Sequence, residues 1–283
     1  MRLAVRAHDL SPKKNDEYGV ALEAKAHSFD SVQLVCYKSI DGIRRVPGGM
    51  GGAAAKRIGD AFRQNGVGIE LIGAYFNPVH SNAQKVADDM AVFADYLSAA
   101  NELGCPVVAS ETGSRNDEPW VYHPDNRTDE SQKRVVRVFK ELCRVGEKCG
   151  ASVAIEGAAG HVCWNVAALK RVYDEIAMDN LKIVFDLFNF LDKENCRDYY
   201  DILSEGLETF GSAVYCFHMK DCVFTPDGPV QAPLGLGELD FDRIIGTIRR
   251  FDENAALVME GTTGPDIPFA AEFIKTKWKE AAI

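Results

Sequence analysis

Basic residues are in short supply: the 283-residue chain carries 32 Lys and Arg against 42 Asp and Glu, a formal net charge of −10. Phosphate backbones are bound chiefly by Lys and Arg, so this balance argues against a nucleic-acid surface and favours small polar ligands. Long apolar runs are missing, since no window approaches the roughly 18–20 consecutive apolar residues of a membrane span. Met1-Arg2 leads straight into strand-like Leu3-Ala4-Val5 without the apolar core of a signal peptide, so a cytoplasmic protein with no membrane contact is expected. The eight cysteines include no CxxC pair and several sit inside apolar runs, which suits buried free thiols better than disulfides or a thiolate metal site. Absent too is a Gly-rich turn after the first strand, where His8-Asp9-Leu10-Ser11-Pro12 stands, so the usual sign of an open dinucleotide-binding sheet is lacking. The richest glycine stretch, Pro47 to Gly52, is too short for a linker, and residues 1–283 are read as one domain.

What the chain has is 46% hydrophobic and 26% charged residues, an ordinary globular composition, arranged in strict alternation. Short runs rich in β-branched residues predict strands at Leu3 to Ala7, Ser31 to Cys36, Val67 to Gly73, Pro106 to Ser110, Ser152 to Glu156, Lys182 to Asp186, Ala213 to His218 and Ala255 to Glu260. Between them, one-sided apolar stripes such as Val86, Met90, Phe93, Leu97 and Val135, Val138, Leu142, Val145 predict helices. Helical pattern also covers Glu17 to Ala26, Gly52 to Gln64, Val166 to Ile176, Arg197 to Phe210, Phe241 to Arg250 and Ile267 to Trp278. Eight such units close into an α/β fold, a (β/α)8 TIM barrel with no exposed sheet edge.

Four of the apolar runs end on metal-binding side chains: Val153-Ala154-Ile155-Glu156, Ile183-Val184-Phe185-Asp186, Val214-Tyr215-Cys216-Phe217-His218 and Ala255 to Glu260. Strands buried on both faces carry such groups at their ends, and in a barrel all the carboxyl ends share one mouth. Glu156, Asp186, His218 and Glu260 are therefore expected to hold one divalent ion, because three unpaired carboxylates so close together need a cation or protonation. A mixed oxygen and nitrogen set suits Mn²⁺ first, with Mg²⁺, Co²⁺, Zn²⁺ and Fe²⁺ as alternatives. An octahedral ion with four protein ligands leaves two positions for a chelating hydroxy-carbonyl substrate, and Glu156 and Glu260 would serve as acid and base for proton transfer through an enediolate.

This Glu, Asp, His, Glu series resembles the sugar isomerase and epimerase superfamily with the xylose-isomerase-like barrel, including the ketose 3-epimerases. Arg6-Ala7-His8-Asp9, Gly73 to Pro78, Ser110 to Ser114, His218-Met219-Lys220-Asp221 and Gly235 to Asp240 look like its less characterised bacterial members. The resemblance implies ligation by the same four residues and a Gly-x-Gly segment, Gly235 to Gly237, that folds over the mouth. Two positions depart from the epimerase pattern: Asn189 stands where those enzymes carry a histidine, and Cys222-Val223-Phe224-Thr225 replaces an arginine-bearing stretch.

The other strand ends, His8, Lys38, Asn77 and Glu111, are expected to touch a sugar or polyol substrate, as are Asn189, Lys220 and His161, the last on a flexible glycine-rich loop. Lys220 has a competing role as the partner of Asp221. His80 and His123 fall in predicted loops and His27 on a surface helix. Gly48 to Gly52 is the one candidate for a phosphate cradle. A lyase or dehydratase acting on a keto-sugar, inosose or oxidised C-glycoside would use the same groups; a non-catalytic sugar-binding subunit and an endonuclease IV type phosphodiesterase fit less well, the last because the chain has only six histidines. A homo-oligomer is compatible with such a barrel, though no patch identifies an interface.

Overall fold

A computed structural model of the chain describes residues 1–281. Ten strands occur: β1 (Arg2–Arg6), β2 (Ser31–Leu34), β3 (Gly68–Gly73), β4 (Val107–Glu111), β5 (Ser152–Glu156), β6 (Leu181–Asp186), β7 (Val214–Met219), β8 (Asp221–Thr225), β9 (Gly228–Ala232) and β10 (Ala256–Met259). Eight of them close a barrel in the order β1-β10-β7-β6-β5-β4-β3-β2, every neighbouring pair parallel. The expected strands are thus present, with ends shifted by a residue or two.

Small side chains fill the barrel interior: Ala4, Ala109, Ala154, Cys216 and Ala256 pack with Leu71, Val107, Val184 and Val258. Alternate strand residues point outward and form the larger apolar layer under the helices. These are α1 (Glu17–Ala26), α2 (Cys36–Ser39), α3 (Gly52–Asn65), α4 (Ala83–Leu103), α5 (Asp129–Cys149), α6 (Val166–Ile176), α7 (Tyr199–Phe210), α8 (Phe241–Phe251) and α9 (Asp266–Glu280). In α5 the stripe Val135, Val138, Phe139, Leu142, Cys143 is buried; Thr128 caps its start by accepting from the Ser131 amide, and Gly150 ends it in a left-handed conformation (φ 67°).

The rim away from the carboxyl ends is closed by Arg2, which grips the buried Glu70 carboxylate at 2.9 Å, and by the Tyr215 hydroxyl, which donates to the Glu70 carbonyl. Three elements, α2, β8 and β9, lie outside the expected alternation. The four-residue α2 is too short to show a helical period, and β8 and β9 form an antiparallel hairpin outside the barrel, with Val223 opposite Val230. All eight cysteines are free and seven are buried. No helix among the described residues is long and apolar enough to cross a membrane.

Candidate active site

Glu111, Glu156 and Asp186 are the last residues of β4, β5 and β6, His218 lies one residue inside the end of β7, and Glu260 follows β10 directly. Parallel pairing fixes their heights: Glu111 is level with Glu156, and Asp186 with His218. Glu156, Asp186 and His218 each present a donor atom within 4.8 Å of the other two. The His218 Nδ1 atom is the hub, at 3.4 Å from Glu156, 3.5 Å from Asp186 and 3.2 Å from Glu260 Oε2. Both His218 ring nitrogens and Asp186 Oδ2 are buried without a hydrogen-bond partner. Buried polar atoms normally find partners, so donors that converge on one point and remain unpaired fit a divalent cation.

Two side-chain cations border this cluster. The Lys220 ammonium lies 2.7 Å from Asp186 Oδ2, though without hydrogen-bond directionality, and 2.8 Å from Glu260 Oε1, while Arg6 reaches the same Glu260 oxygen at 2.8 Å and grips Asp9 with its other nitrogens. Burial alone would raise the Glu260 carboxyl, but Lys220, His218 and Arg6 outweigh it and draw the group down to about 2. Burial pushes Glu156 and Glu111 the other way, each to about 7. For His218 burial opposes the charge, yet Glu156 and Glu260 raise the ring to about 10. The position that attracts a proton so strongly is one that attracts a metal cation.

Above the cluster lies a cavity of about 530 Å³. Glu111, Glu156 and Glu260 line it together with Lys38, Arg45 and Lys85, and Glu118, Pro119 and Trp120 of the β4 to α5 connection contribute as well. Asn126 ties that connection to the loop before His161: its side chain accepts from the Arg115 amide at 2.7 Å and donates to the Gly160 carbonyl at 2.8 Å. His161 is 5% exposed and meets Trp120 edge to face at 6.0 Å. Burial lowers its ring to about 4, so it is neutral, and its Nδ1 has no partner, as is true of Trp120 Nε1, His8 Nδ1 and Gln33 Oε1 around the same cavity.

The sequence matches the family model described as xylose isomerase-like TIM barrel over residues 21–277. The chain belongs to that family. No curated protein matches the sequence. Among solved structures, this xylose isomerase-like barrel is similar to a xylose isomerase domain protein from Planctomyces limnophilus (TM-score 0.75, 17% identity, 99% of this chain and 98% of that one). It is similar also to a D-tagatose 3-epimerase-like protein (0.75, 17%, 99% and 97%) and to the IOLI protein with a bound zinc atom (0.71, 15%, 99% and 96%). At these identities the likeness shows the fold.

Within the xylose isomerase-like barrel, His8, Lys38, Glu111 and His161 line the cavity. The His161 loop is not flexible in the way its glycines suggested, because Ala158, Val162 and Cys163 donate backbone hydrogen bonds to Cys163, Gly113 and Thr112. Asn77 is not among the lining residues: its amide donates to the Ser114 carbonyl and accepts from the Val79 and Ser114 amides, which braces a loop. Asn189 links cluster residues, since its Nδ2 donates to Glu156 Oε1 at 2.7 Å and its Oδ1 accepts from Lys220 at 3.0 Å. Lys220 joins the cluster and leaves Asp221, whose carboxylate accepts instead from the amides of Cys222, Gly235, Gly237 and Leu239. This pins the Gly-x-Gly segment, and Gly235 packs against Phe273 and Phe269 of α9; the segment is not part of the cavity lining. Gly48 to Gly52 lies outside the lining too, with the Gly48 amide given to Asp95.

Arg6, Gln33, Tyr75 and Trp120 were missed as site residues. A glutamine within the apolar run Ser31 to Val35 and a tryptophan in a long polar connection were the available signals.

Proposed function

We propose that this barrel is a divalent-metal-dependent isomerase or epimerase of a sugar or polyol derivative, moving a proton on the carbon next to a carbonyl. The observation that carries the reading is the convergence of three carboxylates on the unpaired, buried His218 Nδ1 at the floor of a polar cavity. Glu156, Asp186, His218 and Glu260 would hold the ion, Mn²⁺ foremost. When bound there it supplies Lewis-acid polarisation of adjacent carbonyl and hydroxyl oxygens.

The chain's own groups divide the remaining work. Glu156 would accept and return the proton, and Asn189 holds its Oε1 so that the carboxylate keeps one orientation. Glu260 stays ionised under Lys220 and Arg6 and flanks the substrate three strands away round the barrel, across β6 and β7. Trp120 and His161 exclude water from above and offer hydrogen-bonding groups to substrate hydroxyls. A sugar substrate is supported by the D-tagatose 3-epimerase-like neighbour, and a cation by the zinc atom in the IOLI protein.

One observation favours elimination of water as a second reading: Glu111, held at about 7 by burial, is a further acid on the cavity wall able to protonate a departing hydroxyl. Incubation of the Mn²⁺-loaded protein with ketoses and inososes in deuterium oxide separates the two. Isomerisation incorporates deuterium with the carbon skeleton and formula otherwise conserved, whereas elimination lowers the product mass by one water. Glu156→Gln should abolish the exchange while leaving the fold intact; undiminished exchange would remove Glu156 from the base role.

A further inference from the structure

Building on the isomerase reading above, we infer that the substrate is an acidic sugar, with a carboxylate or phosphate at the end of the molecule remote from the Glu156 cluster and a hydroxyl beside it. The cavity is polarised by the barrel itself. Strands β6 and β7, which carry Asp186 and His218, lie across the closed sheet from β2 and β3, and the cations Lys38 and Arg45 come from the segment that follows β2.

The cations on that side differ in how they are engaged. Arg45 is fixed, its guanidinium 2.6 Å from Asp89 and donating to the Tyr75 carbonyl at 3.0 Å. Lys85 shares the same carboxylate at 3.2 Å, so two cations have one buried acid between them. Lys38, at the end of α2, lines the cavity, and its ammonium has no hydrogen-bond or ion-pair partner among the described residues. His8 lines the same cavity. Two lining carboxylates have no ion pair among the described residues: Glu111, at the end of β4, and the exposed Glu118.

A second, independent feature sits on the same strand. Gln33 of β2 is fully buried; its Nε2 is given to the Tyr75 hydroxyl at 2.7 Å, and its Oε1, an acceptor, has no partner. An acceptor needs a hydroxyl donor and a free ammonium needs an anion, so this end of the cavity presents the complement of a hydroxylated acid. The volume of about 530 Å³ lies in the range of sites for ligands larger than one sugar ring, which leaves room for a charged terminal group.

Calorimetric titration of the Mn²⁺-loaded full chain with a panel of ketohexoses, their terminal uronates and their terminal phosphate esters tests this at constant ionic strength. One anionic series should bind at least ~10-fold more tightly than its neutral parent, the gain from one charge-assisted hydrogen bond. Lys38→Gln should erase that preference, and which series shows it tells carboxylate from phosphate. Neutral ketoses binding as tightly as both acids, a preference that survives Lys38→Gln, or no binding by any probe would each overturn the inference. Deuterium uptake into the bound probes is read separately: an anion preference without exchange keeps this inference and sinks the isomerase reading.

Discussion

Replacing Lys220 by Met removes the one ammonium within the carboxylate cluster. Lys220 is 8% exposed and lies 2.7 Å from Asp186 and 2.8 Å from Glu260. Breaking a buried ion pair by deleting one partner costs about 3–5 kcal/mol, because the other charge is left buried and uncompensated. At ~2–4 °C per kcal/mol for a domain above 150 residues, the metal-free variant should melt roughly 6–20 °C below the wild type. The same deletion removes a positive charge beside the donor set, so the variant should bind Mn²⁺ more tightly than the wild type does. Ligand binding to the folded state stabilises by about 2.7 kcal/mol at a hundredfold excess over Kd, so saturating Mn²⁺ should lift the variant more than the wild type and narrow the gap. Thermal melts with chelator and with excess Mn²⁺ measure both quantities. A deficit that Mn²⁺ leaves unchanged, or no deficit in chelator, would refute the reasoning that Lys220 and a metal ion relieve the same repulsion.

Two further outcomes follow from buried groups. His161 has its folded value lowered to about 4 from 6.5, so the unfolded chain takes up a proton first; the stability this protects is intact above pH 6.5 and is lost as pH falls towards 4, by up to ~3 kcal/mol. Denaturant melts of His161→Gln should show a shallower loss than the wild type across that window, and parallel curves would contradict the assignment. Asp221→Ala takes the acceptor from four backbone amides, those of Cys222 and Leu239 buried and those of Gly235 and Gly237 partly so; at about 1–3 kcal/mol for each buried one it should destabilise by a few kcal/mol in urea melts, and a neutral result would show that Asp221 does not organise the segment.

Strand ends were legible because burial on both faces leaves no place for a charge within the run, so Glu156, Asp186 and His218 mark where β5, β6 and β7 reach the mouth. Partnerships were not legible. Lys220 sits next to Asp221 in the chain, but strand alternation turns adjacent side chains to opposite faces, and Asp221 starts the β8 hairpin and serves backbone amides. Asn77 and Asn189 both follow strand ends, and an asparagine amide braces a loop, links two charged groups or meets a ligand equally well by composition. The β8 to β9 hairpin carried a readable signal in Pro226-Asp227-Gly228, a turn sequence between two β-branched stretches. The place of Trp120 in the cavity wall carried none, since it meets His161, a residue distant in sequence, only in the fold.

The central claim is that Glu156, Asp186, His218 and Glu260 form one divalent-metal site. Elemental analysis after Mn²⁺ loading and gel filtration tests it most directly: the wild-type chain should retain close to one ion, and the Asp186→Asn, His218→Ala double variant essentially none at an unchanged fold by circular dichroism. A wild-type chain that retains no Mn²⁺, Zn²⁺ or Co²⁺, or a double variant that holds the ion as well as the wild type does, would contradict it.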